Sequence, residues 1–206
     1  MPLYGFRGVY MAKRHVNDGI VTYDAPITPG CPIKANLEFQ FMTKELWCKD
    51  ALSVIKTKAT AGNVTFEAAY LSDACKKLAY GATEKSRTVT YTDAQGASQT
   101  KTLKSIVHSE NDAAPYVGFA GYGPDASGDD KDRYTAFFIG KAKFSPPSAN
   151  YQTIDGSIAF QTPTTTGRFM PDRESGGVIQ EMITVDTEEE AAAWCQAVFP
   201  QAQQSP

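Results

Sequence analysis

Residues Cys31 to Phe41 read CPIKANLEFQF and alternate apolar and polar side chains without a slip. Ile33, Ala35, Leu37, Phe39 and Phe41 fall on one side, and Lys34, Asn36, Glu38 and Gln40 on the other. A side-chain period of two belongs to a β-strand, so this stretch predicts a strand with one apolar face and one hydrated face. The apolar face must cover a core. The hydrated face can look at open solvent, at a ligand, or into the inside of something larger.

Strand signals recur along the chain. GVYMAKR (Gly8 to Arg14), the turn-prone Asn17-Asp18-Gly19 and IVTY (Ile20 to Tyr23) predict a hairpin. NVTFEAAY (Asn63 to Tyr70) alternates again, with Val64, Phe66, Ala68 and Tyr70 expected inward. Residues Ser86 to Ser109 read as a hairpin turning between Asp93 and Gly96. PYVGFAGYG (Pro115 to Gly123) pairs with YTAFFIGKAKF (Tyr134 to Phe144) across an acidic, polar connection. A last hairpin arm is expected from Gln152 to Thr164. Between these, residues 42 to 62 mix Lys, Thr and Ala with isolated Leu46, Trp47, Val54 and Ile55 and fit neither period. They are expected to form an irregular inserted loop with a functional task.

Two helices interrupt the strands. Ser72 can cap the first, Asp73 sits at its positive end, Cys75, Leu78 and Ala79 face inward, and Gly81 stops it. Asp186 or Thr187 caps the second, which carries Glu188 to Glu190 in its first turn and Ala192, Trp194, Cys195 and Phe199 on its apolar side. From Gly167 to Asp186 the chain is rich in glycine and charge, with one apolar run. The sum is an α+β, mainly β, single domain over residues 1–206. An antiparallel sandwich or partly open barrel carries one short flanking helix, and an extension covers about 167–206.

Charge narrows the partners. With a net charge of −3 and no Lys/Arg run, the chain lacks the basic face of a nucleic-acid reader. Arg7 and Lys13 break the apolar segment that a signal peptide needs, and no stretch is long enough to span a bilayer. A cytosol-like place of synthesis and no membrane binding by this chain are the expectations. Cys31, Cys48, Cys75 and Cys195 are scattered, without a CxxC, and read as free thiols in a core.

Catalytic signatures are missing from the sequence. No Gly-x-Ser-x-Gly, phosphate-binding glycine loop or His-Glu-x-x-His occurs, and the chain has only His15 and His108. Asp125 to Asp132 clusters oxygens but lacks EF-hand spacing, so a solvated hairpin tip explains it better than calcium. The run Glu188 to Glu190 is explained by the helix dipole. The expectation is a non-enzyme with no catalytic residue, no cofactor and no metal. Trp47 admits a sugar-binding platform, although a large aromatic more simply anchors a protein contact.

The order of elements carries a resemblance. YGFRGVYMAK, GIVTYDAPITPGCPIKANLEF, the strand-to-helix unit GNVTFEAAYLSDACKKLAYG, PYVGFAGYG and FFIGKAKFSPPSANYQT follow one another, with an acidic Trp-containing helix at the end. Over about residues 4 to 199 the chain resembles the major tail protein of long-tailed, non-contractile bacteriophages, the subunit of the tail tube. Tubes of contractile tails and injection machines are similar in fold and are the nearest alternative. A sugar- or receptor-binding sandwich stands further off.

The resemblance implies a virion protein, assembled in the bacterial cytoplasm, whose hexameric rings stack into a hollow tube. Its partners are then other copies of itself, the tape-measure protein and DNA in the lumen, and other tail proteins at the tube ends. A neutral or acidic bore suits passing DNA, because a basic wall would hold phosphates. Lys34, Asn36, Glu38 and Gln40 are candidate lumen residues, with Asn63, Thr65 and Glu67. Asp155, Ser157 and Gln161 are further candidates, and an outer solvent face is the alternative for each set. Leu46, Trp47, Val54 and Ile55 are candidate inter-subunit contacts, in a segment expected to order against a neighbour.

Overall fold

The computed structural model describes residues 5–126, 133–148 and 161–201. Strand β1 (Gly8–Asn17) turns through Asp18 and Gly19 into β2 (Ile20–Tyr23). Both turn residues have positive φ, 51° and 77°, the left-handed pair whose twist matches a two-residue hairpin. Strands β3 (Gly30–Cys48) and β4 (Ala51–Leu71) follow, then helix α1 (Asp73–Tyr80). A second hairpin pairs β5 (Thr83–Thr92) with β6 (Ser98–Val107). Strands β7 (Val117–Asp125), β8 (Arg133–Phe144), β9 (Thr164–Phe169) and β10 (Glu181–Val185) lead to helix α2 (Glu188–Ala197).

The fold is mainly β and antiparallel, a sandwich-like, partly open barrel flanked by the two helices. One sheet runs β2-β1-β7-β8-β9-β4-β3, with β10 on the same edge of β8 that β9 uses further along. The β5–β6 hairpin forms its own two-stranded sheet. On one face of the main sheet, Val9, Met11, Phe66, Phe119, Ile139 and Phe169 form the core that α1 closes. On the opposite face, Ala191, Cys195 and Phe199 of α2 and its end pack on Ala12, Tyr23 and Ala120. Alternation along β1 sends Val9 and Met11 to one helix and Ala12 to the other.

Both helices start where expected. The Ser72 hydroxyl accepts from the Cys75 N–H at 3.1 Å, and Gly81 ends α1 at φ 73°. Thr187 and Glu190 form a reciprocal capping box, each side chain accepting from the other's backbone N–H at 3.2 Å. Arg14 is buried and donates from Nε (2.8 Å) and Nη2 (2.5 Å) to the two carboxylate oxygens of Asp172, tying β1 to the turn after β9.

Several expectations are corrected. Residues 42 to 62 are not an irregular loop, since they complete β3 and β4 as one long hairpin. Its turn, Lys49-Asp50, has φ 51° and 61°, a left-handed pair without the glycine that would announce it. Bulges at Gln40/Phe41 and Leu46/Trp47 shift the register and spoil the period. Tyr70 is not inward but 61 % exposed, because an irregularity opposite Pro32 slips the phase and Leu71 takes the buried place. Cys31 and Cys48 are exposed rather than core residues. Cys75 and Cys195 are buried, and burial pushes both thiols up to about 12. Residues 167 to 169 belong to β9, a strand hidden in TTTGRF. Of the expected arm from Gln152 to Thr164, the stretch up to Phe160 lies outside the described residues, as do Asp155 and Ser157.

Gly62 occupies a place in β4 with no room for a side chain. A Cβ there would meet the Phe169 ring and the Glu38 carbonyl oxygen. We expect Gly62→Ala to destabilise the fold by about 1–3 kcal/mol through overpacking, measured as a lower urea midpoint. An unchanged midpoint would mean that the ring moves aside freely.

Candidate functional site

The hydrated face read from β3 continues across three more strands. Lys34 pairs with Glu67, Asn36 with Thr65 and Glu38 with Asn63. On the far side of β4, Glu67, Thr65 and Asn63 pair with Thr164, Thr166 and Arg168 of β9, and Arg168 pairs with Lys143 of β8. All seven lumen candidates of β3 and β4 therefore share one sheet face, a consequence of the two-residue period and the antiparallel register. The face is knitted by Asn36 donating to Glu38 at 2.9 Å and Arg168 donating to Gln40 at 3.0 Å. Gln161 is described but lies before β9, outside this strand pattern.

Sequence reasoning missed Thr164, Thr166, Arg168 and Lys143. The alternation Thr165, Gly167, Phe169 against Thr164, Thr166, Arg168 was the available signal, with only one large apolar residue to mark it. Lys34, Lys143 and Arg168 share this surface with Glu38 and Glu67, so it mixes both signs with one more cation than carboxylates. Beside it lies a cavity of about 760 Å³, lined by Glu38, Asn63, His108, Asp112, Lys143 and Arg168 among others.

Among the described residues, strand β3 is the edge of the sheet and pairs with β4 alone. Its outer row of backbone N–H and C=O groups has no described strand beside it, a template for pairing with another chain. Past Phe41 the β3–β4 hairpin leaves the body. From Phe41 to Cys48 it extends about 23 Å at ~3.3 Å per residue. Leu46 and Val54 pair across the arm on the face that continues from Gln40, Met42 and Lys44. Trp47, paired with Leu52, and Ile55, paired with Glu45, lie on the other face, which continues from Phe39 and Phe41. The four predicted contact residues thus share the arm but divide between its two sides. All are exposed, Trp47 by 60 %, together with Phe41, Met42 and Leu52. Trp47 Nε1 donates to Glu45 at 3.3 Å, and the Thr43 and Thr57 hydroxyls meet at 3.2 Å across the strands.

The β5–β6 hairpin is a second arm, exposed along most of both faces. Glu84 anchors its base between Lys77 of α1 and Lys104, each at 2.8 Å. The hydrogen bonds from Lys104 and Lys77, with their charges, pull the Glu84 carboxyl down to about 2. Its folded value lies below its unfolded one, so the anchoring is complete above the ordinary carboxylate range and is lost as pH falls toward about 2. A carbon-13 NMR titration of this carboxyl should show its midpoint near 2. A midpoint in the usual range would show the triad to be open in solution.

Among the described residues no group of three or more His, Cys, Asp or Glu side chains could hold a metal ion. Asp125, at the start of the segment weighed for calcium, is buried and accepts from the Thr135 hydroxyl at 2.9 Å, and residues 127–132 lie outside the described residues. His15 contacts Asp24 at 2.8 Å on the surface. No described helix is long and apolar enough to cross a membrane. What the described surface gathers is an unpaired edge, an apolar arm and a broad hydrated sheet face. No protein-family model matches the chain, and no curated protein matches it significantly in sequence.

Proposed function

We propose that this chain is a self-assembling structural subunit, a tail-tube protein whose copies close into rings and stack into a hollow conduit for phage DNA. The observation that carries the proposal is the β3–β4 arm, whose large apolar side chains stand exposed on both faces beside a strand edge that is unpaired among the described residues. A monomer gains nothing from that surface, and exposed apolar patches of this kind mark interaction sites. Burying Leu46, Trp47 and Ile55 against a neighbour contributes about 2 kcal/mol per side chain, which offsets the cost of fixing the arm.

Edge-to-edge pairing through β3 would join the sheets of adjacent copies, six per ring in the family that the chain resembles. The face of Lys34, Asn36, Glu38, Asn63, Thr65 and Glu67 would then line the bore, its carboxylates interspersed with the cations and weakening their hold on passing phosphates. The arm would reach toward the next ring. Negative-stain microscopy of the concentrated protein tests this. Stacked rings of constant diameter with stain-filled centres are expected, and monomers at every concentration would overturn the proposal.

A further inference from the structure

The β3–β4 arm has two unlike faces. Phe41, Glu45 and Trp47 share one with Ile55 and Leu52, whereas Met42, Lys44 and Leu46 share the other with Lys58, Lys56 and Val54. Lys44 stands directly opposite Lys56, and Lys58 lies one side-chain repeat away, about 7 Å along the strand. Like charges facing each other across a strand pair destabilise it. Glu45 is on the opposite face and Asp50 is in the turn, so no carboxylate shares the lysine face of the arm. All three lysines are exposed, and none forms an ion pair among the described residues. They occupy the half of the arm nearer the body, with Leu46 and Val54 further out.

The lysine face continues the hydrated face of the main sheet, where Lys34, Lys143 and Arg168 accompany Glu38 and Glu67. The continuous surface therefore carries six cations against two carboxylates, in a chain whose net charge is −3. No Lys/Arg run announces it, because its cations follow the two-residue strand period and are gathered from four strands. At the base of the arm this face borders a cavity of about 670 Å³, which Met42 and Lys58 line together with Lys141, Arg173 and Ile179 among others. Glu174 also lines it, with its carboxylate engaged by Arg14 at 3.2 Å and by Lys141 at 3.4 Å. Arg173 has no ion pair among the described residues.

An excess of cations gathered on one face of a chain that is acidic overall is the footprint of a polyanion-binding surface. Lysines are point charges on flexible stems, suited to phosphate oxygens and not to the edges of bases. We infer that this face grips the phosphate backbone of duplex DNA, with Lys44 and Lys56 closing on one phosphate and Lys58 and Arg173 meeting its neighbours at the cavity. A phosphate between Lys44 and Lys56 turns their repulsion into two attractions. Such contacts neutralise the backbone without reading sequence. The choice of DNA as the polyanion rests on the conduit proposed above. The contact adds a grip at the arm to a bore wall whose carboxylates loosen the hold elsewhere, and it leaves Leu46 and Val54 to a neighbouring copy.

Fluorescence anisotropy of a short labelled duplex tests this, with the full-length chain kept below the concentration at which it associates. The wild-type chain should bind in low salt, its log affinity falling linearly with log salt concentration. The variant Lys44→Gln, Lys56→Gln, Lys58→Gln should bind on the order of a hundredfold more weakly at about 0.1 M salt, with a salt slope smaller by about 3. A control removes the same charge from the β5–β6 hairpin, where Lys85, Arg87 and Lys101 share one exposed face. Its variant, Lys85→Gln, Arg87→Gln, Lys101→Gln, should bind like wild type. Circular dichroism confirms that both variants are folded. No binding by wild type, or equal weakening in the two variants, overturns the contact and leaves the tube proposal standing. A Lys44/Lys56/Lys58 variant that keeps its DNA affinity but no longer self-associates would place the lysines against another copy and overturns the contact too. A wild-type chain that binds DNA as expected yet forms no rings under the microscope overturns the tube proposal and leaves this contact.

Discussion

A chain in which residues 42–58 are replaced by Asn-Gly should fold and form no tubes. The cut is made where Phe41 pairs with Ala59, so Asn-Gly closes the shortened strands as a two-residue hairpin. None of the removed residues belongs to either buried cluster, whereas Leu37 and Phe39, which pack against the core, are kept. The urea midpoint should therefore move little. Stacking into tubes should be lost, because Leu46, Trp47, Val54 and Ile55 are exposed in the single chain and are proposed to be buried only between chains. Sedimentation beside wild type measures the effect. Normal tubes from the shortened chain would show that the arm is dispensable. Loss of folding would show that it stabilises the monomer.

The second large effect concerns stability. Asp172 is 1 % exposed and receives two hydrogen bonds from the buried Arg14 guanidinium. Among the described residues, Asp172→Ala leaves that guanidinium buried with the Glu174 contact at 3.2 Å as its one remaining carboxylate. An uncompensated buried charge costs about 3–5 kcal/mol, a large share of the ~5–15 kcal/mol that holds a typical domain together. Nearby, Tyr23 donates to the Gly140 carbonyl at 2.7 Å, and burial first, then the Asp172 charge, push its hydroxyl up to about 12. Urea unfolding should show the loss. The double variant Arg14→Met, Asp172→Leu should be less damaged than Asp172→Ala, since it removes both charges. Equal damage in the two would mean that the site matters through packing alone.

What was legible in the sequence was local chemistry. The β1–β2 hairpin announces itself through Asp18-Gly19, α1 through Ser72 and Gly81, and α2 through Thr187 and Glu190. Each is a short-range device whose residues touch one another. The hydrated face of β3 and β4 was also legible, because Ala35, Leu37, Val64 and Phe66 are selected by the core and fix the phase of the residues between them. The β3–β4 arm was not. Both of its faces are exposed within the chain, so no core imposes an alternation, two bulges shift the register, and Lys49-Asp50 turns without glycine. Strand β9 escaped for a different reason. Thr165 and Gly167 fill inward places where β4 and β8 already supply the bulk, and Gly167 is small because Phe144 lies against it. The Arg14–Asp172 pair joins residues far apart in sequence, and nothing local marks either partner.

The central proposal is that edge strands of neighbouring copies join and enclose a channel. A cryo-electron microscopy reconstruction of the assembled protein tests it most directly. Lys34, Asn36, Glu38, Thr65 and Glu67 should then sit on the wall of a continuous bore, with the outer edge of β3 hydrogen-bonded to the next copy. An assembly with no axial opening, or with that hydrated face turned to the outside, would contradict it.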